Sequence, residues 1–212
     1  MHILVIASTP VYMSPSPKNS DYVKALKKAD LHIPSFDIEN ESIYLKAAGG
    51  YVKRAKDLFQ GSFQKIVKSI EDARSQGIKV DFMLMTARYG IVPECELLLP
   101  YNVKLTGKPK KFIRGLSERL KTKELVTEFL KIPPDICIIV TNKSDLLLVH
   151  DPRKGFDLTE MPSKLVVITA PSLIKQFKGR SEFIGIKQMG ERAGKLASYL
   201  DGITTRTLKD YP

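Results

Sequence analysis

Four short apolar runs with strand-like residues stand out along the chain: Ile3–Ala7, Val80–Met85, Ile136–Val140 and Leu165–Ile168. Each is bounded by turn chemistry and reads as a buried strand. Between them the hydrophobic period changes to that of a helix. Phe63, Ile66, Val67, Ile70 and Ala73 share one face of a helix predicted over Ser62–Gln76, with Ser62 as candidate cap and Gly77 as stop. Ile113, Leu116 and Leu120 predict a second over Lys110–Lys121, and a third covers Glu124–Leu130 before the breaker Pro133–Pro134. A last helix over Gln188–Leu200 carries the stripe Met189, Ala193, Leu196, Ala197 and Leu200, with Arg192 and Lys195 expected to face outward.

Near-continuous apolar strands alternating with helices imply an α/β fold: a mostly parallel central sheet flanked by helices on both faces. At 212 residues and 43% apolar content the chain suits a single α/β domain spanning 1–212. Residues Tyr12 to Ile43 are the least readable stretch, because Pro10, Pro15, Pro17 and Pro34 interrupt any long element, and a loop-rich excursion is expected there. Asp151–Met161 reads as a surface loop or short hairpin.

Charge adds a candidate partner. The formal net charge is +11, a field that attracts polyanions, although scarce Asn and Gln with abundant Lys, Arg and Glu also fit a basic, thermophile-like surface that serves solubility. The densest basic stretch holds Lys108, Lys110, Lys111, Arg114, Arg119, Lys121 and Lys123. On a helix, Lys111, Arg114, Glu118 and Lys121 share a face opposite the apolar stripe, which suits phosphate backbones or is simply a solvated face. Lys108, Lys110, Lys111, Arg114 and Lys121 are the expected nucleic-acid contacts. Only Cys95 and Cys137 are present, too few for a disulfide scaffold and without zinc spacing, so neither metal nor cofactor is expected. The run Ile3–Ala7 is too short for a signal peptide and no stretch approaches a membrane span, which predicts a cytoplasmic protein without a membrane partner.

Every predicted strand runs into polar groups: Ser8–Thr9, Thr86–Gly90, Thr141–Ser144 and Thr169–Ser172. Ligands of open parallel sheets bind outside the carboxyl ends of the strands, so these tails are candidates for one phosphate- or nucleotide-binding rim. The expected ligand set is Ser8, Thr9, Thr86, Arg88, Tyr89, Gly90, Tyr101, Thr141, Asn142 and Lys143. Arg88 offers a donor fork to phosphate and the tyrosines can stack on a base. The alternatives are that the hydroxyls cap helices, that Arg88 pairs with Glu94 or Glu96, and that the tyrosines are core. Asn142–Lys143–Ser144–Asp145 imitates a guanine-reading element, but no GxxxxGK[ST] loop accompanies it. Ile184–Lys187 reads as a strand-to-helix turn whose amides, with Lys187 and Arg192, suit a phosphate. Catalytic constellations are thin: Glu94, Glu96 and Asp57 are the acids near Thr86–Leu105 that could serve as a general base, Cys95 lacks a partner histidine, and His2, His32 and His150 are scattered.

The segment Thr86–Pro93 followed by Leu99–Leu105 resembles the YaaA-like peroxide-stress family and a related uncharacterised family of phages and archaea, with its Tyr-Gly turn and later Pro-Tyr pair. Arg54–Phe63 is similar to the segment that opens the preceding helix in the related family, so the resemblance covers Arg54 to Leu105, about a quarter of the chain. Thr86, Arg88, Tyr89, Gly90, Pro100 and Tyr101 match the motif, whereas Ala7–Ser8–Thr9–Pro10 departs from that family's usual Ser-Pro-Ala-Lys opening. The resemblance implies an α/β protein linked to oxidative stress and binding double-stranded DNA. The resulting expectation is a DNA-associated protein with a polar phosphate or nucleotide pocket. An enzyme acting on a nucleoside, nucleotide or base, or an interaction module without a ligand, are the rival expectations.

Overall fold

The computed structural model describes residues 1–151, 157–160, 163–177, 181–188 and 190–210. In chain order the elements are β1 (His2–Ser8), α1 (Ser20–Lys28), α2 (Glu41–Ala48), β2 (Lys53–Arg54), α3 (Ala55–Leu58), α4 (Phe63–Ser75), β3 (Lys79–Thr86) and β4 (Gly90–Pro93). There follow β5 (Leu97–Leu98), α5 (Lys110–Arg119), α6 (Thr122–Phe129), β6 (Ile136–Val140), α7 (Lys143–Val149), β7 (Lys164–Thr169), β8 (Glu182–Gly185) and α8 (Glu191–Asp210). The fold is α/β, a six-stranded sheet in the order β4-β3-β1-β6-β7-β8 with helices around it. All neighbours in this sheet are parallel except β4, which turns back antiparallel on β3. All four apolar runs are strands within it.

Strand alternation divides the core in two. Ile3, Val5 and Ala7 of β1 join Val80, Phe82 and Leu84 of β3 on the face covered by α4 and α8. Leu4 and Ile6 join Met83, Met85, Cys137 and Ile139 on the face that carries α5, α6 and α7. Side chains i and i+1 of a strand point to opposite faces, so only a sheet covered on both sides can use runs this continuously apolar.

The parallel strands, numbered by their appearance, lie in the order 2-1-3-4-5. From β1 the chain moves outward to β3, then crosses back to β6 on the other side of β1. The carboxyl ends of β1 and β6 therefore flank the point where the winding reverses, and connections leaving in opposite directions open a crevice there.

The structure departs from the sequence pattern in four places. The 12–43 stretch is not only loop, because α1 occupies Ser20–Lys28 with Asn19 as its cap, accepting from the Asp21 and Tyr22 N–H groups at 3.0 Å each. Its Tyr22 and Leu26 pack with Tyr44, Ala48 and Leu99 in a satellite cluster. Two inward residues make too short a stripe to read from periodicity. The helix expected over Lys110–Lys121 ends at Arg119, where Lys121 adopts the left-handed conformation, φ 51°, and α6 starts anew. Ser62 makes no side-chain cap bond to α4. Arg192, placed outward by the α8 stripe, is 7% exposed, whereas Lys195 is exposed as expected. Met189 and most of the expected 151–161 loop lie outside the described residues.

Among the described residues no helix is long and apolar enough to cross a membrane.

Candidate functional site

A cleft of about 410 Å³ opens at the reversal point. Its floor is the end of β1, Ser8 and Thr9, with Asn142 from the start of α7 beside them. Gln60 and Ser62 enter from the loop before α4, and Arg192 from the first turn of α8. Phe63 and Ile66 supply apolar wall, while Tyr12, 71% exposed, stands at the edge.

A smaller recess of about 50 Å³ shares Thr9, Pro10, Val11, Thr106 and Asn142 with this cleft and adds Tyr101, Lys104 and Asp145. The two spaces therefore share a wall. Asn142 sits between them. Its carbonyl oxygen caps α7, accepting from Ser144 N at 2.9 Å and Asp145 N at 3.0 Å, and its amide donates to Asp145 Oδ2 at 2.6 Å. The tetrapeptide that imitates a guanine-reading element is thus the capped start of a helix, with the Asn142 side chain also tied to the Asp145 carboxylate.

Burial raises the Asp145 carboxyl above its ordinary value, opposed by hydrogen bonds from Ser8 and Asn142 and by the charge of Arg192. Burial also draws Arg192 down to about 10, with Asp145 acting the other way, so the guanidinium remains charged at neutral pH. Tyr101 is buried between the rings of Phe59 and Tyr89, and burial raises its phenol.

Most strand-end hydroxyls tie the sheet together rather than facing a ligand. Ser8 Oγ and Thr141 Oγ1 are 3.2 Å apart, Thr169 Oγ1 donates to the Thr141 carbonyl at 3.0 Å, and Thr9 Oγ1 donates to the Met85 carbonyl at 3.0 Å. Thr86 and Thr141 are buried within this lacing. Thr86 closes the β3–β4 hairpin, its Oγ1 accepting from Tyr89 N at 3.0 Å and donating to Gly90 O at 3.2 Å. Gly90 has φ 71°, the positive value that the Tyr-Gly turn demands.

Arg88 does not reach the rim. Its side chain is wholly buried and ion-paired to Asp37 Oδ1 at 2.7 Å and Glu41 Oε2 at 2.6 Å, with the Tyr44 and Tyr89 rings 5.4 and 5.3 Å from the guanidinium carbon. Tyr89 joins the same cluster, donating to Glu41 Oε1 at 2.8 Å. Ion pairing replaces ligand contact here, with partners from the 12–43 stretch rather than Glu94 or Glu96. Glu94 is bound by Arg74 and Glu96 is exposed, and neither is among the described residues lining the cleft. Lys143 is exposed at the first position of α7. Cys95 is exposed, and burial pushes the Cys137 thiol up to about 12, away from nucleophilic use. Of the expected ligand set, then, Ser8, Thr9 and Asn142 meet in the cleft and Tyr101 in its recess.

The basic stretch is also partly spoken for. Arg114 makes a two-pronged contact with Asp151, Nε at 2.5 Å and Nη2 at 3.0 Å. Lys108 lies over the Phe36 and Phe112 rings at 5.4 and 5.5 Å, while Lys110, Lys111 and Lys121 are exposed.

Asp145 is not among the expected site residues, although it stands three positions after Asn142, within reach of that cap's side chain. Arg192 is expected near the turn before the last helix, but helical phase alone turns it outward. No family profile and no curated protein matches this chain. Among the described residues no group of three or more His, Cys, Asp or Glu gathers in a way that could hold a metal ion.

Proposed function

We propose that this protein binds a small phosphate-bearing molecule of the nucleotide class in the cleft between the ends of β1 and β6. The observation that carries this reading is Arg192, a largely buried guanidinium in the wall of a cleft otherwise furnished with hydroxyls and amides. A cation held out of bulk water attracts an anion far more strongly than one on the open surface. The cleft volume falls within the range of small-molecule pockets. Tyr12 at the mouth, with Phe63 and Ile66, offers aromatic and apolar surface to a base. Thermal unfolding against a nucleotide panel tests the reading, since a ligand at a hundred times its Kd stabilises by about 2.7 kcal/mol. Arg192→Gln is expected to abolish that shift. The reading fails if no nucleotide stabilises the wild type, or if the variant responds equally.

Nucleic-acid association is a second reading, supported by the exposed ammonium groups of Lys110, Lys111 and Lys121 around α5 and by the +11 net charge. The resemblance of residues 54–105 to the YaaA-like proteins points the same way. Arg114 leaves the set of contacts because Asp151 holds it.

A further inference from the structure

We propose that the groove beside α5 takes an unstacked base of a single-stranded nucleic acid, with Lys108, Lys110 and Lys111 holding the neighbouring phosphates. This site rests on the reading of α5 as a nucleic-acid surface and narrows it to one form of partner. The groove, of about 590 Å³, is lined by Phe36, Phe112 and Leu116 with Gly115 in its wall, and among the described residues it shares no lining residue with the cleft at the end of β1. Phe36 and Phe112 meet edge to face, with ring centroids 4.9 Å apart. Arg119 Nη2 donates to the Phe36 carbonyl at 2.5 Å, which fixes the segment carrying Phe36 against the helix. Phe112 stays 38% exposed, so the groove presents aromatic surface to the solvent.

Charge decides the occupant. Lys108 Nζ stands 5.4 and 5.5 Å from the two ring centres, and Lys110 and Lys111 are exposed beside it, so a run of ammonium groups flanks an apolar slot. Arg119 is engaged by the Phe36 carbonyl and lies 3.8 Å from Glu39, which leaves the lysines as the phosphate contacts. Repeated positive charge beside aromatic rings matches a strand that alternates phosphates with flat π-faces. Bases of a duplex are stacked on one another, so only an unpaired strand offers a face to these rings. Gly115 keeps the slot open. A Cβ there would meet open space, although glycine inside a helix is less stable than a larger helix former. Leucine at this position therefore suits α5 and fills the groove.

Fluorescence anisotropy at low salt compares a labelled thymidine strand of about ten nucleotides with a duplex of the same length. Wild type should bind the single strand more tightly, and Gly115→Leu should weaken that binding about tenfold while duplex affinity stays unchanged. Iodouracil placed in the strand should cross-link to Phe36 or Phe112 of the wild type under ultraviolet light, which carries the test should the variant fold poorly. Unchanged single-strand affinity in a folded Gly115→Leu, or cross-links that avoid both rings, overturns the inference; duplex binding that still weakens when Lys110 and Lys111 are replaced by Glu then leaves the nucleic-acid reading of α5 intact. An acidic peptide carrying phenylalanine that binds the wild type and not Gly115→Leu, with strand binding untouched, assigns the groove to a protein partner and also overturns it. Absence of binding to either nucleic acid at low salt overturns both readings.

Discussion

Arg88 Nη1 donates to Asp37 Oδ1 at 2.7 Å, bridging 51 residues of sequence and fastening the segment before α2 to the β3–β4 turn. The same guanidinium reaches Glu41 Oε2 at 2.6 Å and donates to the Ser35 carbonyl. Arg88→Ala strands two carboxylates in a half-buried setting and should destabilise by about 3–5 kcal/mol. Arg88→Lys, which cannot fork between two acids, should recover only part of this. Urea denaturation measures both. A loss under about 1 kcal/mol for Arg88→Ala would show that the pair is not a structural fastening.

Asp37 makes stability sensitive to acid. Burial alone would raise its carboxyl, but hydrogen bonds from Tyr44, Arg88 and the Ser35 N–H outweigh this and hold it well below the usual carboxylate range. An unfolded Asp titrates near pH 4, so below that value the unfolded chain binds the extra proton first. The contribution is complete above about pH 5 and drains away as pH falls toward the depressed folded value. Asp37→Asn should be less stable than wild type at neutral pH, and the gap should narrow with acidification. Parallel curves of stability against pH for the two proteins would contradict this.

Gly90 is constrained twice. Its φ of 71° suits no side chain well, and a Cβ there would meet Thr122 Cγ2 at 2.7 Å. Gly90→Ala should cost about 2–4 kcal/mol, combining backbone strain with overpacking. Adding Thr122→Ser removes the offending methyl and keeps a hydroxyl for the Leu148 carbonyl, which Thr122 Oγ1 reaches at 2.8 Å. The double variant should be more stable than Gly90→Ala alone. Failure of this rescue would locate the penalty in the backbone or in Leu120, whose Cδ1 and Cβ would lie 3.2 and 3.3 Å from that Cβ.

Arg114 and the neighbouring lysines should separate by assay. Arg114→Ala breaks the two-pronged contact with Asp151 and should lower stability by about 1–3 kcal/mol with little effect on nucleic-acid affinity. Replacing Lys110 and Lys111 by Glu should leave stability nearly unchanged. If duplex DNA binds here, removing one lysine–phosphate pairing reduces the slope of log affinity against log salt by about 0.9. Equal slopes for wild type and the lysine variant would make this helix a solvated face.

Local pattern is enough for what burial alone decides. The runs at Ile3, Val80, Ile136 and Leu165 are the strands of one sheet, because a continuously apolar segment must be covered on both faces wherever it lies. The Tyr89–Gly90 turn is equally legible, since a positive φ is a property of the residue itself. Elements with little apolar content escape: β8 sits at the sheet edge with two of its four residues exposed, and α1 buries only Tyr22 and Leu26. Partnership is decided by topology. Arg88 looks ligand-facing in the sequence because Asp37 and Glu41, 51 and 47 residues away, are joined to it only once α2 packs beside the β3–β4 turn. Arg192 looks solvent-facing because helical phase compares a residue with its own helix alone, whereas burial to 7% exposure is decided by what packs around that helix. A sequence records which side chains must leave water, but which charge meets which carboxylate depends on how strands of distant sequence are ordered in the sheet.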